Sequence, residues 1–108
     1  MHLERLDAYK KEEKKLKKRA EVSEIYDKII EHIKQCDDMV DLRTHPISWM
    51  YNFEAMRGDL SGNYSFNLCK NGGSVRLIFT VNEEINTVTL AYISVDHYKD
   101  FKRKLSRR

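Results

Sequence analysis

The segment from Tyr64 to Val95 constrains this chain most: apolar residues alternate along three runs separated by turn signals. In YSFNLC, Tyr64, Phe66 and Leu68 alternate with Ser65, Asn67 and Cys69. In VRLIFTV, Val75, Leu77, Phe79 and Val81 share one face, and Arg76, Ile78 and Thr80 share the other. TVTLAYISV is the third run. A period of two means strands, because successive side chains point to opposite faces of a sheet. Asn71-Gly72-Gly73 provides the residues that tolerate positive φ in a tight hairpin, and NEEIN reads as the second hairpin loop. Strands so connected form an antiparallel meander with one apolar face, which a second layer must cover.

The cover comes from earlier in the chain. In EVSEIYDKIIEHIKQCDD, residues Val22, Ile25, Tyr26, Ile29, Ile30 and Ile33 follow the i, i+3, i+4, i+7 spacing of a helix with one apolar face. Ser23 is the expected cap, and Glu21 and Glu24 suit the positive end of the helix dipole. HLERLDAYKKEEKKLKKRA reads as a first helix with a thin stripe of Leu6, Tyr9, Leu16 and Ala20. A short strand over residues 1–5 is only weakly signalled. The KKEEKKLKKR run suits a solvated face with paired charges, or a helix that contacts RNA or a partner. DLRTHPISWM reads as a connector. Pro46 pushes His45 out of helical geometry, and Trp49 and Met50 are expected to anchor the connector to the body. DHYKDFKRKL reads as a short basic helix or tail. The expected fold is therefore α+β: two N-terminal helices on a small antiparallel sheet, in one domain over residues 1–108.

Charge is unevenly distributed. Residues 1–20 hold eight Lys and Arg against four Asp and Glu, residues 21–41 hold two against seven, and the remainder ten against six. That suits a polyanion on one face and a different contact on another. There is no long apolar run and no leader pattern, so neither a membrane span nor secretion is expected. Two cysteines, Cys36 and Cys69, fit reduced thiols in a cytoplasmic protein. Arg57-Gly58-Asp59 is the tripeptide that integrins meet outside cells; that setting conflicts with the cysteine usage, so an ordinary turn is the better reading.

A few residues could carry chemistry. Arg76 stands mid-strand on the face away from Val75, Leu77 and Phe79. Asp96, His97 and Tyr98 adjoin at the end of the last run, and His97 and Tyr98 can each exchange a proton. Glu54 and Arg57 lie three residues apart. The plain alternatives are a surface Arg ion pair, a helix cap at Asp96, and an exposed Glu54–Arg57 pair. His32 and Cys36 have the spacing of two metal ligands on a helix, but no second pair closes the site, so no metal and no cofactor are expected. No phosphate-binding glycine motif is present.

EAMRGDLSGNYSFNL, SVRLIF and AYISVDHY, in that order, resemble the RelE/ParE superfamily of bacterial toxins, nearest to its YoeB and HigB branches. The resemblance covers about Glu54 to Tyr98 well, and the two helices by order and length. It implies a ribosome-dependent mRNA endonuclease that uses no metal and is neutralised by a cognate antitoxin, in a possible hetero-oligomer. The ribose 2′-hydroxyl attacks the adjacent phosphodiester and expels the next 5′-oxygen. The resemblance assigns Glu54 as general base, Arg76 as phosphate stabiliser, and His97 and Tyr98 as acid and orienting groups; base and acid could exchange between Glu54 and His97. Asp96 would support the imidazole. Arg57 takes the place of a phosphate-contacting lysine, and Lys70, Lys99, Lys102 and Arg103 would meet RNA phosphates, ribosomal or messenger. Phe66 and Asn67 stand where some relatives carry a further cation. Two alternatives share part of this pattern: a ParE-like poison of DNA gyrase, and a non-enzymatic RNA-binding module.

Overall fold

The three alternating runs form the centre of the sheet, with a short strand added on each side. The computed structural model describes residues 1–69 and 75–94. Strands β1 (His2–Arg5), β2 (Glu54–Ala55), β3 (Asn63–Asn67), β4 (Arg76–Asn82) and β5 (Thr87–Ser94) lie in the order β1-β5-β4-β3-β2. Pairing is antiparallel except where β1 runs parallel to β5, with Leu3 opposite Val88. The sheet is therefore mixed and five-stranded, not a three-stranded antiparallel meander. Both additions are hard to read from sequence because they are short, four residues and two. The turn expected at Asn71-Gly72-Gly73, Lys70 and everything from Val95 onward, including the expected basic helix or tail, lie outside the described residues.

Helices α1 (Asp7–Leu16) and α2 (Ala20–Gln35) precede the sheet's centre. The α2 stripe is buried as its spacing demands: Val22, Ile25, Tyr26, Ile29, Ile30 and Ile33 all join the core. They pack with Phe66, Leu77, Phe79, Leu90 and Ile93 from one sheet face. Burying each such side chain stabilises the fold by about 1.5–3 kcal/mol. Ser23 does not cap α2; the N-cap is Arg19, whose side chain makes no capping bond. The helix starts one turn earlier because Leu16 and Val22 are both pulled into the core. Ala20, expected in the α1 stripe, is exposed at the start of α2 instead.

The KKEEKKLKKR run divides by charge. Its lysines are exposed, with Lys17 3.8 Å from Asp27 across the α1–α2 turn. Its glutamates face inward. Glu13 accepts from Arg5 Nε at 3.0 Å and from the Tyr26 hydroxyl, which also bonds the Tyr9 hydroxyl. Glu12 accepts from the backbone N–H of Ile93 at 2.7 Å. Pairing with β1 reaches only Leu90, so Glu12 occupies a stretch of β5 edge that β1 leaves open.

The expected connector is two short helices, α3 (Met39–Thr44) and α4 (Pro46–Met50). Asp38 caps α3 by accepting from Asp41 N–H at 2.9 Å. His45 is extended, as the following proline requires, and its Nδ1 accepts from Ile47 N–H at 3.2 Å to cap α4. The anchor of α4 is Ser48, which is fully buried and shares a 2.8 Å hydrogen bond with His32 Nε2. Trp49 and Met50 are not anchors: they are 71% and 69% exposed. On a one-turn helix only one side faces the body, and Ser48 occupies it.

Candidate functional site

Residues directly paired across a sheet point to the same face, so the register sets the site. Glu54 pairs with Ser65 and Ser65 with Ile78; two residues along, Asn67 pairs with Arg76 and Arg76 with Ser94. Glu54, Ser65, Asn67, Arg76 and Ser94 thus share the face that α2 leaves uncovered. Strand β3 separates Glu54 from Arg76, yet Arg76 Nη1 lies 3.4 Å from Glu54 Oε2. Two long side chains meet here across a strand whose nearby residue on that face, Ser65, is small and buried.

The pair borders an open cleft of about 330 Å³, lined by Trp49, Asn52, Phe53, Glu54, Asn67 and Arg76. Its floor is rigid. Phe53 stacks on Tyr64 at 5.7 Å between ring centres, and Tyr64 on Phe79 at 5.9 Å, so Tyr64 is core as its alternation implies. Asn67 N–H donates to the Tyr51 carbonyl at 2.9 Å, tying the end of α4 to β3. Asn52 sits at φ 55°, a left-handed conformation that asparagine tolerates well, and this turns the chain from α4 into β2. The Asn67 Oδ1 accepts from Cys69 N–H at 2.9 Å, which fixes its amide.

RGDLSG is a turn. Gly58 (φ 65°) and Gly62 (φ 91°) adopt positive φ, which glycine takes without steric cost. Gly58–Leu60 form one 3-10 turn, and Leu60 packs inward beside Met56, Ile78, Ala91 and Tyr92. That cluster covers the part of the outer sheet face the cleft does not use. Arg57 is exposed before the turn and is not among the residues lining the cleft. Glu54, three residues before it, pairs with Arg76 instead.

Of the expected site residues, the fold brings Glu54 and Arg76 together. Asp96, His97, Tyr98, Lys70, Lys99, Lys102 and Arg103 lie outside the described residues. Trp49, Asn52 and Asn67 were not expected in the cleft. Only Asn67 left a signal, since its parity with Arg76 and Ser65 puts it on the outer face.

His32 and Cys36 serve the core. Cys36 Sγ lies 3.7 and 3.8 Å from the ring nitrogens of His32, whose ring meets that of His45 edge-on at 4.7 Å between centres. Burial, and then the His45 charge, hold the His32 pKa below its ordinary value despite Asp41. Burial, with Asp41 adding to it, pushes the Cys36 thiol up to about 11. A protonated thiol at neutral pH is neither a ready nucleophile nor a ready metal ligand. Among the described residues no three His, Cys, Asp or Glu side chains gather as metal ligands, and no helix is long and apolar enough to cross a membrane.

No protein-family model matches the sequence, and no curated protein does. Solved structures match the fold. The YoeB/ParE toxin from Agrobacterium tumefaciens superposes with a TM-score of 0.66 at 13% identity, covering 90% of this chain and 100% of that one. This chain has the YoeB/ParE toxin fold. A chain of the heterotetrameric YoeB-YefM toxin-antitoxin complex from Staphylococcus aureus agrees, with a TM-score of 0.57 at 18% identity over 90% of this chain and 98% of that one. At such identities the likeness is one of backbone. Within the YoeB/ParE fold, the cleft between β2 and the start of β4 is where this chain places its paired carboxylate and guanidinium.

Proposed function

We propose that this chain is the toxin of a toxin–antitoxin pair and cuts mRNA on the ribosome without a metal. The observation that carries the reading is the Glu54–Arg76 pair, 3.4 Å apart in the lining of a cleft on a YoeB/ParE fold. Their side chains are 57% and 31% exposed, so solvent screens the pair and it adds little to stability. A carboxylate base and a cation on one cleft match what phosphodiester cleavage asks of a protein.

The chemistry is an internal transfer. The 2′-oxygen forms a bond to phosphorus while Glu54 takes its proton. Arg76 balances the charge that grows on the non-bridging oxygens. The bond from phosphorus to the 5′-oxygen breaks, and an acid returns a proton to that oxygen. The products are a 2′,3′-cyclic phosphate and a 5′-hydroxyl. His97 and Tyr98 are the proposed acid and orienting group. Support for them is connectivity: Ser94, which pairs with Arg76, precedes them by three and four residues. Asp96 is the proposed support for the imidazole; Arg57, Lys70, Lys99, Lys102 and Arg103 are proposed phosphate contacts.

The partners follow from the same reading: ribosome and message as target, and an antitoxin that covers the cleft. The S. aureus neighbour was solved with an antitoxin, which favours such a partner. Primer extension on translated message, with EDTA present, tests the activity. Codon-spaced cuts by the wild type, lost in Arg76→Ala and His97→Ala, are expected. Intact message with gyrase inhibited by all three proteins would replace this reading with the ParE-like one.

A further inference from the structure

Trp49 is the residue the proposed chemistry does not explain. It is the chain's single tryptophan, and it is 71% exposed. Tryptophan is highly buried on average, so a ring this exposed is informative where it borders a cleft with polar groups. Among the described residues, the other large exposed apolar side chains are Val40, Met50 and Ile85, and none of them lines the cleft that Trp49 shares with Glu54 and Arg76.

The backbone that carries the ring is held in place. Ser48, its neighbour, is buried and bonded to His32 at 2.8 Å. The Trp49 carbonyl accepts from Asn52 N–H at 3.1 Å, and Phe53 N–H donates to the Ser48 carbonyl at 2.9 Å. The helix that carries the indole is thus fixed from both ends.

We propose that the Trp49 indole is a platform on which the cleft stacks one RNA base, holding that nucleotide beside the Glu54–Arg76 pair. This rests on the nuclease reading for its substrate class. The surroundings favour a nucleotide over an apolar protein side chain. A flat aromatic face, a guanidinium for phosphate and two carboxamides, Asn52 and Asn67, line one space. Bonding to Cys69 N–H occupies the Asn67 Oδ1, so its NH2 remains as the donor for a base edge. The volume of about 330 Å³ lies at the small end of ligand pockets, about 300–1,000 Å³. Stacking accepts any base, because every base has a π-face; a preference would come from the two amides.

Because Trp49 is the single tryptophan, its emission reports the cleft directly. A 2′-O-methyl trinucleotide, which has no attacking hydroxyl, is titrated into the whole protein. Saturable quenching is expected. Anisotropy of a labelled trinucleotide should show binding at least about fivefold weaker in Trp49→Ala and mostly restored in Trp49→Phe. Melting temperatures should match the wild type, since the ring is exposed. No binding, binding that leaves the emission unmoved, or Trp49→Ala binding like the wild type overturns the proposal. So does a Trp49→Ala protein that keeps the oligonucleotide but no longer forms the antitoxin complex, which would make the ring a protein contact. The two readings fail separately: quenching without cleavage of translated message sinks the nuclease alone, and cleavage undiminished in Trp49→Ala sinks the platform alone.

Discussion

The Glu54 carboxylate reaches the Arg76 guanidinium across an intervening strand, 3.4 Å apart although β3 lies between them. An ion pair this exposed is worth about 0–1 kcal/mol to folding. Glu54→Gln should therefore unfold within about 1 kcal/mol of the wild type. Cleavage should fall about 10²–10⁴-fold if Glu54 is the base. Thermal melts beside primer extension check both halves; a large stability loss would mean the pair is structural.

On the face where the two side chains meet, the small residue between β2 and β4 is Ser65, 1% exposed on β3 and paired to Glu54 on one side and Ile78 on the other. Ser65→Ala keeps the gap and should keep activity. Ser65→Leu fills it, at an overpacking cost of about 1–3 kcal/mol. It should also separate carboxylate from guanidinium and abolish cleavage. Equal activity in the two variants, measured on folded protein below their melting points, would show that Ser65 does not set the pair.

The sheet centre and α2 were legible because their periods are long and clean: Tyr64 to Leu68, Val75 to Val81, and Val22 to Ile33 each repeat at least twice. β1 and β2 were faint because four and two residues hold too few repeats to show a period. Arg76 was legible by parity with Leu77, since a strand puts neighbours on opposite faces. Trp49 was not. A tryptophan in an apolar pentapeptide reads as an anchor, and only the burial of Ser48 beside it, fixed by a histidine sixteen residues earlier, turns the ring outward. Likewise the Glu54–Arg76 meeting depends on register across three strands, which sequence spacing of 22 residues does not encode.

His32 makes stability depend on pH just below neutrality. Its folded pKa is lowered from 6.5, by burial first and His45 second. The unfolded imidazole thus takes a proton more readily than the folded one. Stability from this group is complete above about pH 6.5 and is lost as pH falls toward the lowered folded value. The wild type should lose melting temperature on going below pH 6.5, and His32→Gln should flatten that slope. At neutral pH, His32→Ala should cost about 1–3 kcal/mol, because it leaves the buried Ser48 hydroxyl without its partner. Adding Ser48→Ala should recover part of that loss, and a double-mutant cycle by denaturant titration measures it.

The Arg5–Glu13–Tyr26–Tyr9 chain sets the limits at both ends of the pH scale. Burial works against the Glu13 charge, but hydrogen bonds from Tyr26 and Arg5 outweigh it and hold the carboxyl below 4.5. Its stabilisation is present above pH 4.5 and lost as pH falls through the lowered folded value. The tyrosines act in the opposite sense. Burial raises both above 10, first at Tyr9 with Tyr26 nearby and likewise at Tyr26 beside Glu13, so their contribution is complete below pH 10 and lost as pH climbs through the folded values. Tyr26→Phe removes the hydroxyl that links Glu13 to Tyr9. It should cost about 1–3 kcal/mol at pH 7, since Glu13 loses a donor and the buried Tyr9 hydroxyl loses a partner. It should also shrink the acid-side loss, because Glu13 then keeps only Arg5 and the Lys17 charge to depress it. Urea titrations of wild type and Tyr26→Phe at pH 3, 7 and about 10.5 separate these effects. Parallel pH profiles for the two proteins would mean that Tyr26 only fills space.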